Sequence, residues 1–226
     1  HGAWAYLGRQ IKARVKAPVA QGMRMNIEKA EELVDRGDFD AIVMGRPFLA
    51  DPDVVNKAEA GKASTIRPCV GCNAKCLDMA MASKPIGCIG NYECNREEEL
   101  EDENGLMPTE KKSEHPEKIL VIGAGPSGME FARVAALRGH KVTIWEKRNR
   151  TIGLSLYAAT PPRRYDIRYF GQWLERTCRE LGVEIILNKE ATAENIIAAS
   201  KDYDRVVLAC GSKASIPPIP RDPSVP

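Results

Sequence analysis

The chain has 226 residues, 43% of them apolar, enough to build a real hydrophobic core and to exclude disorder as its overall state. Lys+Arg 33 against Asp+Glu 31 leaves a formal net charge of +2, so no global field draws the chain to nucleic acid or an anionic membrane. No apolar run approaches the roughly 20 residues that span a bilayer, and no basic start leads into an apolar stretch with a cleavage site, so a cytoplasmic chain without a membrane partner is expected.

Residues 1–62 carry two strand-then-helix units. Ala17-Pro18-Val19-Ala20 reads as a strand and Gln21-Gly22-Met23-Arg24-Met25 as a turn. A helix follows, opened by Asn26 as N-cap, with Ile27, Ala30, Leu33 and Val34 at helical spacing. Phe39-Asp40-Ala41-Ile42-Val43-Met44 is a nearly all-apolar strand, the kind buried on both faces of a parallel sheet. Gly45-Arg46-Pro47 closes it, and a second helix runs to about Gly61. Two such units imply a βαβα piece of an α/β architecture.

Over residues 65–94 the periodicity vanishes and Cys, Gly, Asn and Pro dominate, so something other than a core must hold the segment, and metal ligands do that. Residues 96–117 form a charged stretch with few large apolar groups, a surface linker. From Lys118 the alternation restarts: strand 118–122, a Gly-rich turn, helix 127–138 and strand 141–146. A loop with Pro161-Pro162-Arg163-Arg164 leads to a helix over 167–181, a strand over 183–187, a short helix over 193–200 and a strand over 205–209. After Gly211 the chain is Pro-rich.

Ile122-Gly123-Ala124-Gly125-Pro126-Ser127-Gly128 has the G-x-G-x-x-G spacing directly after a strand and at the head of a helix. Gly123 suits the tight turn, Gly125 lets backbone N–H groups approach a pyrophosphate at the head of the helix that Pro126 and Ser127 open, and Gly128 lets helix and strand pack closely. Glu146 ends the second strand, 18 residues beyond Gly128, where an acid accepts hydrogen bonds from a ribose. The motif alone serves FAD and NAD(H) equally, and a Gly-rich turn without a ligand is the bland alternative.

Seven Cys are present, and Cys69, Cys72, Cys76 and Cys88 stand in a C-x2-C-x3-C-x11-C array. Crowding of this kind in an unexported chain reads as metal ligation before disulfides. The spacing suits a cubane [4Fe–4S] cluster with one thiolate per iron, Gly71 and Gly87 allowing tight wrapping. A structural zinc site usually shows two C-x2-C pairs and is the alternative. Cys94 is a spare; Cys178 and Cys210 are expected to be buried packing residues.

In this order the motifs resemble the iron–sulfur flavoproteins related to old yellow enzyme, which include 2,4-dienoyl-CoA reductase, 2-enoate reductase and trimethylamine dehydrogenase. The resemblance runs through Asp40-Ala41-Ile42-Val43-Met44-Gly45-Arg46-Pro47-Phe48-Leu49-Ala50-Asp51-Pro52, Ile66-Arg67-Pro68-Cys69-Val70-Gly71-Cys72-Asn73, Cys88 and residues 121–128. It implies that residues 1–62 are the last two βα units of an FMN-binding (β/α)8 (TIM) barrel, 63–95 a [4Fe–4S] segment, 96–117 a linker, and 118–226 the first part of a Rossmann-like FAD-binding domain. Phosphate sites in such barrels are built from the last two βα loops, so Gly22, Arg24, Gly45 and Arg46 are expected at the FMN phosphate. The same resemblance assigns Gly123, Gly125, Gly128 and Glu146 to FAD. Where the family often has Gly-Gly, this chain has Ile152-Gly153-Leu154-Ser155, and Ala209-Cys210-Gly211 replaces Ala-Thr-Gly.

The function implied is a portion of an NAD(P)H-dependent ene-reductase acting on unsaturated acids or enoyl-CoA thioesters, with a small-molecule substrate and a homo-oligomer expected. An amine dehydrogenase of the same architecture and a non-catalytic electron-transfer module are the alternatives. His1 in place of an initiating Met suggests a piece of a longer or processed chain, its substrate-facing residues lying upstream. Arg163, Arg164 and Arg168 interleaved with Tyr165, Tyr169 and Phe170 mix charge and aromatics as nucleic-acid binders do. With the near-neutral balance they read as a solvated face, and no nucleic-acid partner is expected.

Overall fold

The computed structural model describes residues 2–22, 24–105, 107 and 111–213. Met23 of the first expected phosphate loop, Pro108 of the linker and the Pro-rich tail from residue 214 lie outside the described residues.

The chain is mixed α/β with two parallel sheets. After helix α1 (Ala5–Lys12), strand β1 (Ala20–Gln21) pairs in parallel with β2 (Ala41–Ile42) across helix α2 (Ile27–Asp35). Asn26 caps α2 as its sequence demands: its backbone is extended and its side chain accepts from Lys29 N at 3.2 Å. Ala5, Met25, Leu33 and Phe39 form a small core under this sheet.

Two expectations for this region need correction. The six-residue strand over 39–44 has only Ala41 and Ile42 in a ladder, and Val43 is exposed. Its apolar side chains have one short partner strand rather than two sheet neighbours. The single helix to Gly61 is two, α3 (Arg46–Ala50) and α4 (Val54–Glu59). Pro52 drives the residue before it out of helical conformation, and Asp51 is extended at φ −146°, ψ 103°.

Residues 63–95 hold a 3-10 turn at Ala63–Thr65 and helix α5 (Leu77–Met81), and the expected linker contains helix α6 (Glu97–Leu100), with three glutamates in its first turn. The second sheet has order β5-β4-β3-β6, from β3 (Lys118–Ile122), β4 (Lys141–Trp145), β5 (Glu184–Ile186) and β6 (Arg205–Leu208). All three of its ladders are parallel, with the first strand central, as in one half of a dinucleotide-binding fold.

Alternation sorts β3 onto two cores. Ile119 and Val121 face helices α7 (Pro126–Leu137) and α9 (Tyr165–Glu180), joining Met129, Ala132, Trp173, Leu174 and Cys178. Leu120 and Ile122 face the other way with Trp145, against Ile196 and Ala199 of α10 (Ala193–Ala199). A short helix α8 (Ser155–Ala158) precedes α9, and a Thr192–Asn195 capping box opens α10. Cys178 is fully buried as expected, whereas Cys210 is exposed. It lies just past the edge strand β6, whose Leu208 is itself 70% exposed.

Candidate functional site

The dinucleotide turn is built on glycines, and at two of them, Gly123 and Gly128, a side chain has no room. Gly123 sits at φ +109°, and a Cβ there would lie 2.5 Å from the Ala209 carbonyl oxygen. A Cβ on Gly128 would come within 2.0 Å of the Gly123 carbonyl oxygen, so this glycine sets how closely α7 approaches the turn. Gly125, extended and the N-cap of α7, meets open space where its Cβ would point. Pro126 takes the first helical position, where its missing N–H costs nothing, and Ser127 follows in the first turn.

Glu146 is buried, and its carboxylate accepts from Ala124 N at 2.9 Å and from Arg148 N at 2.9 Å. The acid expected at a ribose therefore also braces the Gly-rich turn from within, each oxygen keeping a further lone pair. The family's Gly-Gly position explains itself here. Ile152 takes φ +74°, rare for a β-branched residue, and donates its N–H to Ala124 O at 2.8 Å. Gly171 of α9 makes room for it, since a Cβ there would meet the Ile152 side chain at 2.6 Å. No local signal around Ile152 anticipates that conformation. Leu154, the departure from the pattern, has φ −69° and is partly exposed, so no glycine is demanded there.

Gly22, Arg24, Gly45 and Arg46, from the loops after β1 and β2, all line one cavity of about 720 Å³, a size common for cofactor pockets. Its other walls include the start of α2 at Ile27 and Glu28, Val54 of α4, residues within 63–69, and α9 through Asp166, Tyr169, Trp173 and Arg176. The α9 wall was invisible in the sequence, because its residues stand some 140 positions from Arg24 and their amphipathic spacing predicts only a packed helix. The Arg24 guanidinium donates to Asp166, and a Cβ on Gly71 would meet it at 2.5 Å. Arg46 Nη1 donates to Asn73 Oδ1 at 2.5 Å.

Trp173 joins the parts. Two guanidiniums contact its ring, Arg67 at 5.1 Å and Arg133 at 5.6 Å from the centroid, and its Nε1 donates to Thr65 O at 3.0 Å. Burial pushes Arg67 below the usual arginine range, and the like charge of Arg133 adds to this. Arg67 keeps its charge satisfied by donating to Gly90 O at 2.8 Å and Asn91 Oδ1 at 3.0 Å.

Cys69, Cys72, Cys76 and Cys88 line a second, smaller pocket, and all four thiols are free. Gly71 at φ +64° and Asn73 at φ +62° turn the loop around it; Gly87, expected to help, takes no left-handed conformation and closes the loop by donating its N–H to Lys75 O at 2.9 Å. Burial pushes the Cys69 thiol up, opposed by the Gly71 N–H that hydrogen-bonds it and by the Arg46 charge. Among the described residues, no three His, Cys, Asp or Glu side chains close on a point suited to one metal ion. Cys94 is buried beside the pocket rather than in its lining. Arg46 and Cys69 line both cavities. Among the described residues, no helix is long and apolar enough to cross a membrane.

The pyridine nucleotide-disulphide oxidoreductase family matches residues 69–202. A metal reductase of Desulforamulus reducens is 47% identical over 99% of this chain and 33% of its own length. A cinnamate reductase of Clostridium sporogenes is 38% identical over 89% of this chain and 29% of its own length. The structure of a 2-naphthoyl-CoA reductase in complex with 2-naphthoyl-CoA superposes with a TM-score of 0.84 at 35% identity, covering 96% of this chain and 32% of that one. The chain thus spans about a third of the length of these relatives. It belongs to the pyridine nucleotide-disulphide oxidoreductases, within the iron–sulfur flavoproteins related to old yellow enzyme.

Proposed function

We propose that this chain is the cofactor-relay portion of an NAD(P)H-dependent FMN/FAD/[4Fe–4S] oxidoreductase that reduces activated C=C bonds of unsaturated acids or their CoA thioesters. The observation that carries this reading is the shared wall: Arg46 and Cys69 line both the larger cavity and the cysteine pocket, so the loop expected to hold a phosphate stands beside four thiols. Relatives named as reductases of cinnamate and of a naphthoyl-CoA support the substrate class.

In this reading residues 1–62 close an FMN-binding barrel, 63–95 hold the cluster, 96–117 link, and 118–226 bind FAD. Four thiols with no carboxylate or imidazole in the lining, and a Gly71 N–H on the Cys69 sulfur, suit an iron–sulfur group. Gly22, Arg24, Gly45 and Arg46 line the FMN cavity, and the half-buried Arg46 is its cation for a phosphate. Gly123, Gly125 and Gly128 let backbone N–H groups and the start of the 12-residue α7 meet the FAD pyrophosphate, while Glu146 holds the turn and accepts from the ribose. When bound, the cluster supplies one-electron steps between two flavins that exchange electron pairs. Overall, a hydride equivalent from NAD(P)H and a proton add across the C=C bond.

The test is anaerobic purification. A brown protein bleached by dithionite, with about four iron and four sulfide per chain, is expected; a colourless protein carrying zinc refutes the cluster. A relative named as an N,N-dimethylglycine/sarcosine dehydrogenase makes C–N oxidation the second reading, with substrate-dependent dye reduction by the amine its discriminating assay. The thiol-rich pocket requires a reducing compartment, so the cytoplasm is the proposed location.

A further inference from the structure

Arg46 opens α3 immediately after Gly45, is half-buried, and stands where the two cavities meet. One edge of its guanidinium is committed: Nη1 donates to Asn73 Oδ1 at 2.5 Å. Asn73 is held in turn, with a left-handed backbone at φ +62° and its carbonyl accepting from Asp78 N at 3.0 Å at the start of α5. It lies between Cys72 and Cys76, so whatever displaces Arg46 acts on the loop that carries two of the four thiols. The guanidinium is a rigid plane with five in-plane donors, one of them committed to Asn73, and Arg46 also lines the larger cavity, where a bound anion would meet it.

We propose that Arg46 is a positioning residue that couples the two sites, so that a phosphate group bound in the larger cavity lowers the reduction potential of an iron–sulfur cluster held by Cys69, Cys72, Cys76 and Cys88. The proposal rests on the cluster reading above. Its sign follows from charge. Reduction adds one electron to the thiolate-bound group, and the nearby Arg46 cation favours that state. A phosphate dianion paired with Arg46 cancels the benefit, so it binds the oxidised form more tightly. Linkage makes the effect reciprocal: a tenfold preference of phosphate for the oxidised form equals about 59 mV of potential for one electron.

The experiment is an anaerobic redox titration of the iron-loaded full chain, read by bleaching of the cluster absorbance, in saturating inorganic phosphate and in chloride of matched ionic strength. Wild type, R46K, R46Q and N73A are compared, with iron content and circular dichroism recorded for each. The expected result is a lower midpoint in phosphate for wild type, a smaller response in N73A with all four irons retained, and none in R46Q. R46Q is also expected to have the lower midpoint in chloride. Where R46Q does not fold, R46K decides: it keeps a charge but not the planar fork, and its response falls between wild type and N73A. An iron-loaded wild type indifferent to phosphate, or equal responses in wild type and the substituted chains, overturns the coupling alone. A wild type that binds no iron overturns the cluster reading and the coupling with it.

Discussion

Replacing Trp173 with Phe removes one hydrogen bond and weakens two cation contacts while keeping an aromatic body in the same place. The lost Nε1 bond to Thr65 O, 3.0 Å long, is worth about 1 kcal/mol and leaves a carbonyl without its partner. Phe is a poorer partner than Trp for the guanidiniums of Arg67 and Arg133, and contacts of this kind contribute roughly 0.5–2 kcal/mol each, of which about half is forfeited. The smaller ring leaves space at a site that is 5% exposed, costing about 1 kcal/mol more. The total is about 3 kcal/mol, a large share of the stability of an ordinary domain. Equilibrium urea unfolding by circular dichroism measures it. Hydrogen exchange locates it: residues 63–69 and 90–91, which Trp173 and Arg67 tie down, should lose protection first. Trp4→Phe is the control, because Trp4 is 46% exposed and its replacement should stay within about 0.5 kcal/mol of wild type. If W173F also unfolds within that margin, the ring and its two arginine contacts are not what joins α9 to the cysteine-bearing segment.

Gly128→Ala should be worse than its size suggests, since the new methyl must displace the Gly123 carbonyl 2.0 Å away; a loss of about 3 kcal/mol and at least tenfold weaker FAD binding by calorimetry are expected, and an unchanged Tm and Kd would contradict the close approach. Burial pushes the Cys178 thiol up to about 12 while Cys210 is exposed, so iodoacetamide at pH 8 should label Cys210 and spare Cys178 until the chain is denatured, as read by peptide mass spectrometry. Labelling of both at one rate would mean that α9 is not packed on α7. Burial alone would raise the Glu175 pKa, but hydrogen bonds from Thr151, 2.6 Å away, and Arg179 hold it below the usual carboxylate value. A folded pKa below the unfolded value of about 4.3 gives stability that is present above that pH and lost as pH falls through the folded value. The gap between the urea midpoints of wild type and Thr151→Val should therefore be widest at pH 7 and narrow as pH falls below about 4.3; a constant gap would exclude this linkage.

The dinucleotide half was legible because its signals are local. Strands 118–122 and 141–146 are short apolar runs, and the glycines that close the turn can be named from spacing alone. The barrel-end units were legible as units but not in length, since ladder extent depends on which strands lie beside Ala20 and Ala41, a property outside either segment. The break between α3 and α4 did have a local signal, Asp51-Pro52-Asp53, outweighed by the apolar spacing around it. The α9 wall had none. Asp166 reaches Arg24 and Trp173 reaches Thr65 across separations of 142 and 108 residues, and no periodicity within α9 distinguishes a helix that packs from one that walls a cavity.

Residues 63–95 bury few apolar side chains, and their composition points to metal as the organising element. The structure supplies another. Asp51, 4% exposed, accepts from Lys57 Nζ at 2.7 Å, Arg67 N at 2.8 Å and Asp53 N at 3.1 Å. The Arg67 side chain continues to Gly90 O and Asn91 Oδ1, and Asn91 Nδ2 returns to Leu49 O at 3.1 Å. The loop of contacts starts and ends beside α3 and encloses both ends of the cysteine array, since Arg67 precedes Cys69 and Gly90 follows Cys88. Buried polar networks are stiff when every member is satisfied and costly when one is not. The closed circuit therefore fixes where the array enters and leaves by protein contacts alone, and the ordering entropy of that frame falls to folding rather than to metal binding. The four thiols close a short, turn-rich loop within a frame already set, with Arg46 and Asn73 fastening it to the neighbouring cavity.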